Sequence, residues 1–188
     1  MSLVPGIGIN PATDPAGFAQ AANYVGLANI IGILNLVFLL FGFQALYSYL
    51  ERNSGDRWAF PGFVLSVIGL ALYLPFLGII AFAGPIAGRL YLSGQAQAVS
   101  VISEATGTSN LAALAFGGVS LLSSVLGSIL FSVAIWRSGK LPKWSAVAYA
   151  ISSPLNWTPH YIPALWFLGG ILLLGAGIGV ARGIWTTR

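Results

Sequence analysis

Along the chain, long apolar runs alternate with short polar breaks. About 18 or more apolar residues in succession, with few or no charges, read as a bilayer span. The stretches at 24–50, 60–83, 111–136 and 162–184 have that character. The first, YVGLANIIGILNLVFLLFGFQALYSYL, would reach roughly 40 Å as a helix, enough to cross a hydrocarbon core of about 30 Å with tilt. The second can continue through Pro85 toward Leu92. The run at 144–158 is shorter, roughly 21 Å as a helix. Pro154, Pro159 and Pro163 prevent one straight helix from Trp144 to Ile184. This run is therefore expected to be a short fourth span completed by a buried turn at 158–162, or a re-entrant segment. The pattern predicts an all-α, polytopic transmembrane helix bundle: a single membrane domain over 1–188 with five spans, the fourth short or re-entrant.

The breaks sharpen this reading. ERNSGDRW (51–58) carries the Ser-Gly-Asp chemistry of a tight turn. WRSGKLPKW (136–144) is a second short connection, with Gly139 suited to end one helix and Pro142 to open the next. Segment 84–110 is long, rich in Gly, Ser and Ala, and nearly uncharged. Its apolar positions from Val99 to Ile102 predict a helix on or near the outer membrane surface. Thr108, Ser109 and Asn110 then read as the N-cap of the third span. No internal repeat is visible, and an odd number of spans argues against a simple two-fold repeat transporter.

Composition agrees: 57% of residues are hydrophobic and 6% are charged, where a soluble domain carries about 25% charged residues. The absence of cysteine removes disulfides, thiolate metal sites and Cys nucleophiles. The net charge of +4 does not point to nucleic acid, because the basic residues lie in short loops rather than gathered on one solvated face. No Lys or Arg precedes the first apolar run, so the basic region of a secretory signal is missing. The first span is expected to be retained and to act as its own insertion signal.

Lys and Arg concentrate in cytoplasmic loops, and that bias sets topology. Five spans place Arg52, Arg57, Arg137, Lys140, Lys143, Arg182 and Arg188 on one side and only Arg89 on the other. The expectation is a multi-pass protein of the cell membrane, N-terminus outside and C-terminus cytoplasmic. Trp136 and Trp144 are then interface anchors at headgroup level, while Arg137, Lys140 and Lys143 face water and anionic lipid. A docking site for an acidic partner is the alternative reading of the same charges.

The pattern W-R-S-G-x-L-P-x-W at 136–144 also resembles a loop signature of small, uncharacterised bacterial multi-span membrane proteins. ALYSYL (45–50) and AFAGPIAGRLYLSGQ (81–95) are similar to segments of the same proteins. That resemblance implies no assigned activity, so no catalytic residue is carried over from it.

Candidate chemistry is sparse. Asp14, Glu51, Asp56 and Glu104 all lie outside the predicted spans, so the intramembrane ionisable groups of proton relays and ion paths are not seen. Glu51 and Asp56 are expected to balance Arg52 and Arg57. His160, the single histidine, sits in an aromatic, Pro-rich outer turn. It is a candidate for binding a pigment or quinone, or an interfacial histidine beside Trp157 and Tyr161. Asn29, Asn35 and Gln44 are polar within the first span. Asn35 lies near mid-membrane, where an unpaired amide is costly, and is expected to face another helix or line a small polar pathway. Ser120, Ser124, Ser128 and Ser132 recur every four residues, as do Gly175, Gly179 and Gly183. Such small residues permit close helix packing in lipid. No enzyme, cofactor or metal site is expected. The role expected is a non-catalytic packing or accessory subunit that meets lipid and other membrane subunits, or itself. The rival readings are a small transporter or lipid/hydrophobe-binding protein with a cavity near Asn35, Gln44 and Tyr73, and a pigment- or quinone-holding subunit.

Overall fold

The computed structural model describes residues 9–54, 56–107, 109–157 and 163–186. Among them the regular structure is all helical: α1 (Pro15–Asn53), α2 (Ala59–Gly78), a π-helical turn (Ile79–Ala83), α3 (Gly84–Leu92), α4 (Ala98–Thr106), α5 (Leu111–Ser138), α6 (Lys143–Asn156) and α7 (Pro163–Thr186). Four helical stretches are long and apolar enough to cross a membrane: Pro15–Asn53, Ala59–Leu92, Leu111–Ser138 and Phe167–Thr186. At 14 residues α6 covers roughly 21 Å, below that length.

The helix ends follow local chemistry. α1 starts nine residues before the apolar run, because Asp14 Oδ1 accepts the Gly17 N–H at 2.8 Å and Pro15 opens the helix without needing a hydrogen-bond acceptor for its nitrogen. Its 39 residues extend roughly 58 Å. The second apolar helix does run through Pro85 to Leu92. Proline cannot donate to the carbonyl four residues back and its ring crowds that carbonyl. The wider π turn at Ile79–Ala83 accommodates the mismatch immediately before it. Asn110 Oδ1 accepts from the N–H groups of Ala112 (3.0 Å) and Ala113 (3.2 Å), capping α5. α5 ends where Gly139 turns left-handed, φ +64°, and Pro142 is the residue that caps α6.

The described residues fall into two compact units. One comprises 9–37 with 71–118. Its core is Phe18, Ala19 and Ala22 of α1, Ala87 of α3, and Val99 and Ile102 of α4. α1 and α3 approach closely: a Cβ on Gly88 would stand 2.5 Å from the Ala22 Cβ and 3.0 Å from the Ala19 carbonyl. Val99 and Ile102, at 0% and 4% exposure, are the apolar edge by which short α4 joins this core.

The second unit comprises 38–70 with 119–186. Phe43, Phe131 and Tyr149 form a mutual aromatic contact with centroids 5.8–6.3 Å apart. Around it lie Leu46, Leu50, Ala59, Ile135, Ala146 and Ala176. α7 runs antiparallel to α6. A Cβ on Gly169 would stand 3.0 Å from the Asn156 nitrogen, and one on Gly183 2.9 Å from Leu141 Cδ2. The end of α7 thus lies beside the turn that begins α6.

Candidate functional site

Two turns of the second unit meet at one end. Arg137 Nε donates to Asp56 Oδ2 at 2.9 Å, and Lys140 Nζ donates to Asn53 Oδ1 at 3.3 Å. Asp56 therefore pairs with Arg137, not with Arg52 or Arg57 as the sequence led us to expect. The reason is local. Asp56 Oδ1 accepts the Trp58 N–H at 2.9 Å, which turns the carboxylate inward until its side chain is 7% exposed, while Arg57 lies over the Trp58 ring at 5.1 Å. Glu51 accepts instead from the Tyr47 hydroxyl at 2.9 Å. Lys143 sits 5.1 Å from the Trp136 ring, so cation and indole close the 136–144 turn on itself. Trp136 and Trp144 are 48% and 55% exposed, each half-open to the surroundings at this end of the unit.

α2 and α5 cross through small residues. A Cβ on Gly62 would stand 2.8 Å from the Phe131 nitrogen, one on Gly127 2.7 Å from the Ser66 nitrogen, and one on Gly69 2.8 Å from the Ser124 nitrogen. Ser120 donates to the Gly69 carbonyl at 2.6 Å. The seam thus follows Ser120, Ser124, Gly127 and Phe131, with 4-3-4 spacing. Ser128 bonds the Val125 carbonyl of its own helix at 2.8 Å. Ser132 is buried, and its hydroxyl makes no hydrogen bond.

On α7, Gly179 lies against Ser145 and the Trp144 ring of α6, and Gly183 lies against Leu141 and Pro142. Gly175 has nothing within 4 Å of where its Cβ would stand. Ser145 is fully buried and its hydroxyl makes no hydrogen bond. Its contribution here is small size. Ser145, Gly62, Gly69 and Gly127 escaped the sequence reading, although a 4-3 spacing search would have found the last three with their partners.

The polar residues of α1 differ sharply. The Asn29 amide donates to the Val25 carbonyl at 2.8 Å, and Gln44 donates to the Ser48 hydroxyl at 3.4 Å. Asn35 is exposed, and among the described residues its amide has no partner. It was expected to face another helix or line a small polar pathway; among the described residues no helix of this chain covers it. Leu36 is the residue buried at this level, and one residue's rotation of about 100° carries the amide to the outer face.

An open cleft of about 660 Å³ lies in the first unit, lined by Ile86, Leu90, Val101 and Ile102 with Gln95 and Gln97 among them. It belongs to α3, α4 and the turn between them. Asn35, Gln44 and Tyr73, around which a cavity was expected, are not among its lining residues. Among the described residues no group of three or more His, Asp or Glu stands together as metal ligands. His160, the candidate pigment or quinone ligand, lies outside the described residues. No protein-family model, curated protein or solved structure matches the chain.

Proposed function

We propose that this protein is a non-catalytic integral membrane subunit that packs against other membrane-embedded chains. The observation that carries the reading is α1. Only 11% of its most apolar window is buried within the chain, and its outward face carries the unpartnered Asn35 amide, a group that hydrocarbon does not satisfy. The serine and glycine stripes are engaged largely inside the chain, so they no longer support association, and α1 takes their place. In this reading α6 makes the fourth of five crossings, the N-terminus is outside, and the joined 51–58 and 136–144 turns are cytoplasmic under the positive-inside bias; residues 158–162, expected to complete that crossing, lie outside the described residues. Mild extraction from the native membrane tests the role. The expected result is a complex of fixed stoichiometry, containing either more than one copy or another membrane protein. A chain that emerges alone and monomeric would overturn it.

The α3–α4 cleft favours a second reading, the binding of a small hydrophobe. Its apolar lining with two amides matches the makeup of small-molecule sites. A lipid or quinone that co-purifies, and is lost in Val101→Gln, would support that reading over the first. His160 as a pigment ligand is tested by the visible absorption of the purified protein.

A further inference from the structure

We infer that two copies of this chain associate in parallel through the outer face of α1, with the two Asn35 amides paired across the symmetry axis. The inference rests on the subunit reading above and names the partner. Tyr24, Ala28, Ile31, Asn35, Phe38, Gly42 and Ala45 are all exposed, and their spacing is 4-3-4-3-4-3 through three heptads of one continuous helix. That is the spacing of a left-handed helix-pair seam. It is also the spacing at which α5 meets α2 inside this chain, where the seam is filled. On α1 it is empty: Tyr24 is 64%, Ile31 59% and Phe38 72% exposed, and nothing lies within 4 Å of a Cβ built on Gly42.

Asn35 selects the occupant. Its amide offers both a donor and an acceptor, and it lies near the middle of the apolar run, away from water. Two copies inserted with the same topology are related by an axis along the membrane normal, so a two-fold contact brings the same patch, at the same depth, onto itself. The Asn35 of a second copy therefore arrives at the right height with complementary groups. A single polar residue in such a seam also fixes its register. Ala28, Gly42 and Ala45 leave room for close approach on either side of it.

The absence of cysteine allows a direct test in the full-length protein in membranes. Ala28→Cys and Gly42→Cys should each cross-link to a second copy under mild oxidation. Leu122→Cys, on an exposed part of α5 (63%), should not. Interhelical hydrogen bonds in lipid average about 0.6 kcal/mol and reach about 1.7. Asn35→Leu should therefore weaken dimerisation roughly threefold to twentyfold, as read by energy transfer between labelled copies. Asn35→Gln should restore much of it. The variants alter an exposed face, so helix content should stay unchanged and serves as the folding control, while the unfolding temperature of Asn35→Leu should fall as its dimer weakens. Equal cross-linking at Leu122→Cys, or full-strength dimerisation of Asn35→Leu, would overturn the inference. Cross-linking of Gly42→Cys to a different membrane protein would also overturn it, yet leave the subunit reading standing. A solitary monomer would remove both.

Discussion

The Ser120 hydroxyl donates to the Gly69 carbonyl across 2.6 Å, joining helices whose residues are 51 positions apart in the chain. That bond is short because Gly69, Ser124 and Gly127 let two backbones nearly touch. In lipid such packing replaces the hydrophobic drive that assembles soluble helices. Ser120→Ala removes one interhelical hydrogen bond and should lower stability by about 0.6 kcal/mol, measured by unfolding in mild detergent.

Gly127→Ala should do more harm than Ser120→Ala. Its new Cβ would stand 2.7 Å from the Ser66 backbone nitrogen, and backbone cannot rotate aside as a side chain can. Overpacking of this kind costs about 1–3 kcal/mol. An unchanged unfolding midpoint would mean that α2 and α5 do not approach this closely.

Gly175 and Gly179 separate open from occupied positions on one helix. Gly175→Ala meets nothing within 4 Å and removes a poor helix former, so stability should hold or rise by up to about 1 kcal/mol. Gly179→Ile must displace Trp144 and Ser145 and should lower stability by about 1–3 kcal/mol. Thermal unfolding of the two variants side by side is the check, and the opposite order would contradict the α6–α7 contact.

Arg137 and Asp56 should be unequal partners. Arg137 is 58% exposed, and surface ion pairs contribute about 0–1 kcal/mol, so Arg137→Ala should be mild and its effect should fade with salt. Asp56→Ala also loses the bond to the Trp58 N–H. It should be the more damaging change at every salt concentration, by about a further 1 kcal/mol, in line with other lost side-chain caps.

Topology is checked with the same cysteine-free background. Ser54→Cys and Ser138→Cys should react with an impermeant thiol reagent from one side of the membrane, and Ser100→Cys from the other. Ser138→Cys labelled from outside intact cells would reverse the proposed orientation.

Helix boundaries were legible in the sequence wherever a side chain or a glycine sets them. Asn110, Gly139 and Pro142 mark ends that the structure keeps. The start of α1 was not, because Gln20 and Asn23 interrupt the apolar pattern while Asp14 and Pro15 lie too far upstream for hydropathy to register. The serine stripe was visible; how its members divide between faces of the helix was not. Residues four apart drift about 40° per step around a helix of 3.6 residues per turn, so Ser128 and Ser132 rotate off the face that meets α2. Gly127 and Phe131 keep to it, since alternating steps of four and three average 3.5. The fate of Asn35 was not legible at all. Periodicity places it on a face, but does not say whether the chain's own helices cover that face.

The joined turns bring the charge of the second unit under the voltage of a living membrane. Among the described residues, Arg52, Arg57, Arg137, Lys140, Lys143 and Arg182 share one end of the second unit with only Glu51 and Asp56, a surplus of four positive charges. Carrying an elementary charge against the transmembrane voltage is worth about 2.3 kcal/mol per 100 mV. With that end in the cytoplasm, a voltage of about 100 mV, negative inside, opposes inversion of the chain by about 9 kcal/mol. In the proposed orientation an energised cell therefore reinforces each insertion, and dissipating the voltage during synthesis should raise the inverted fraction.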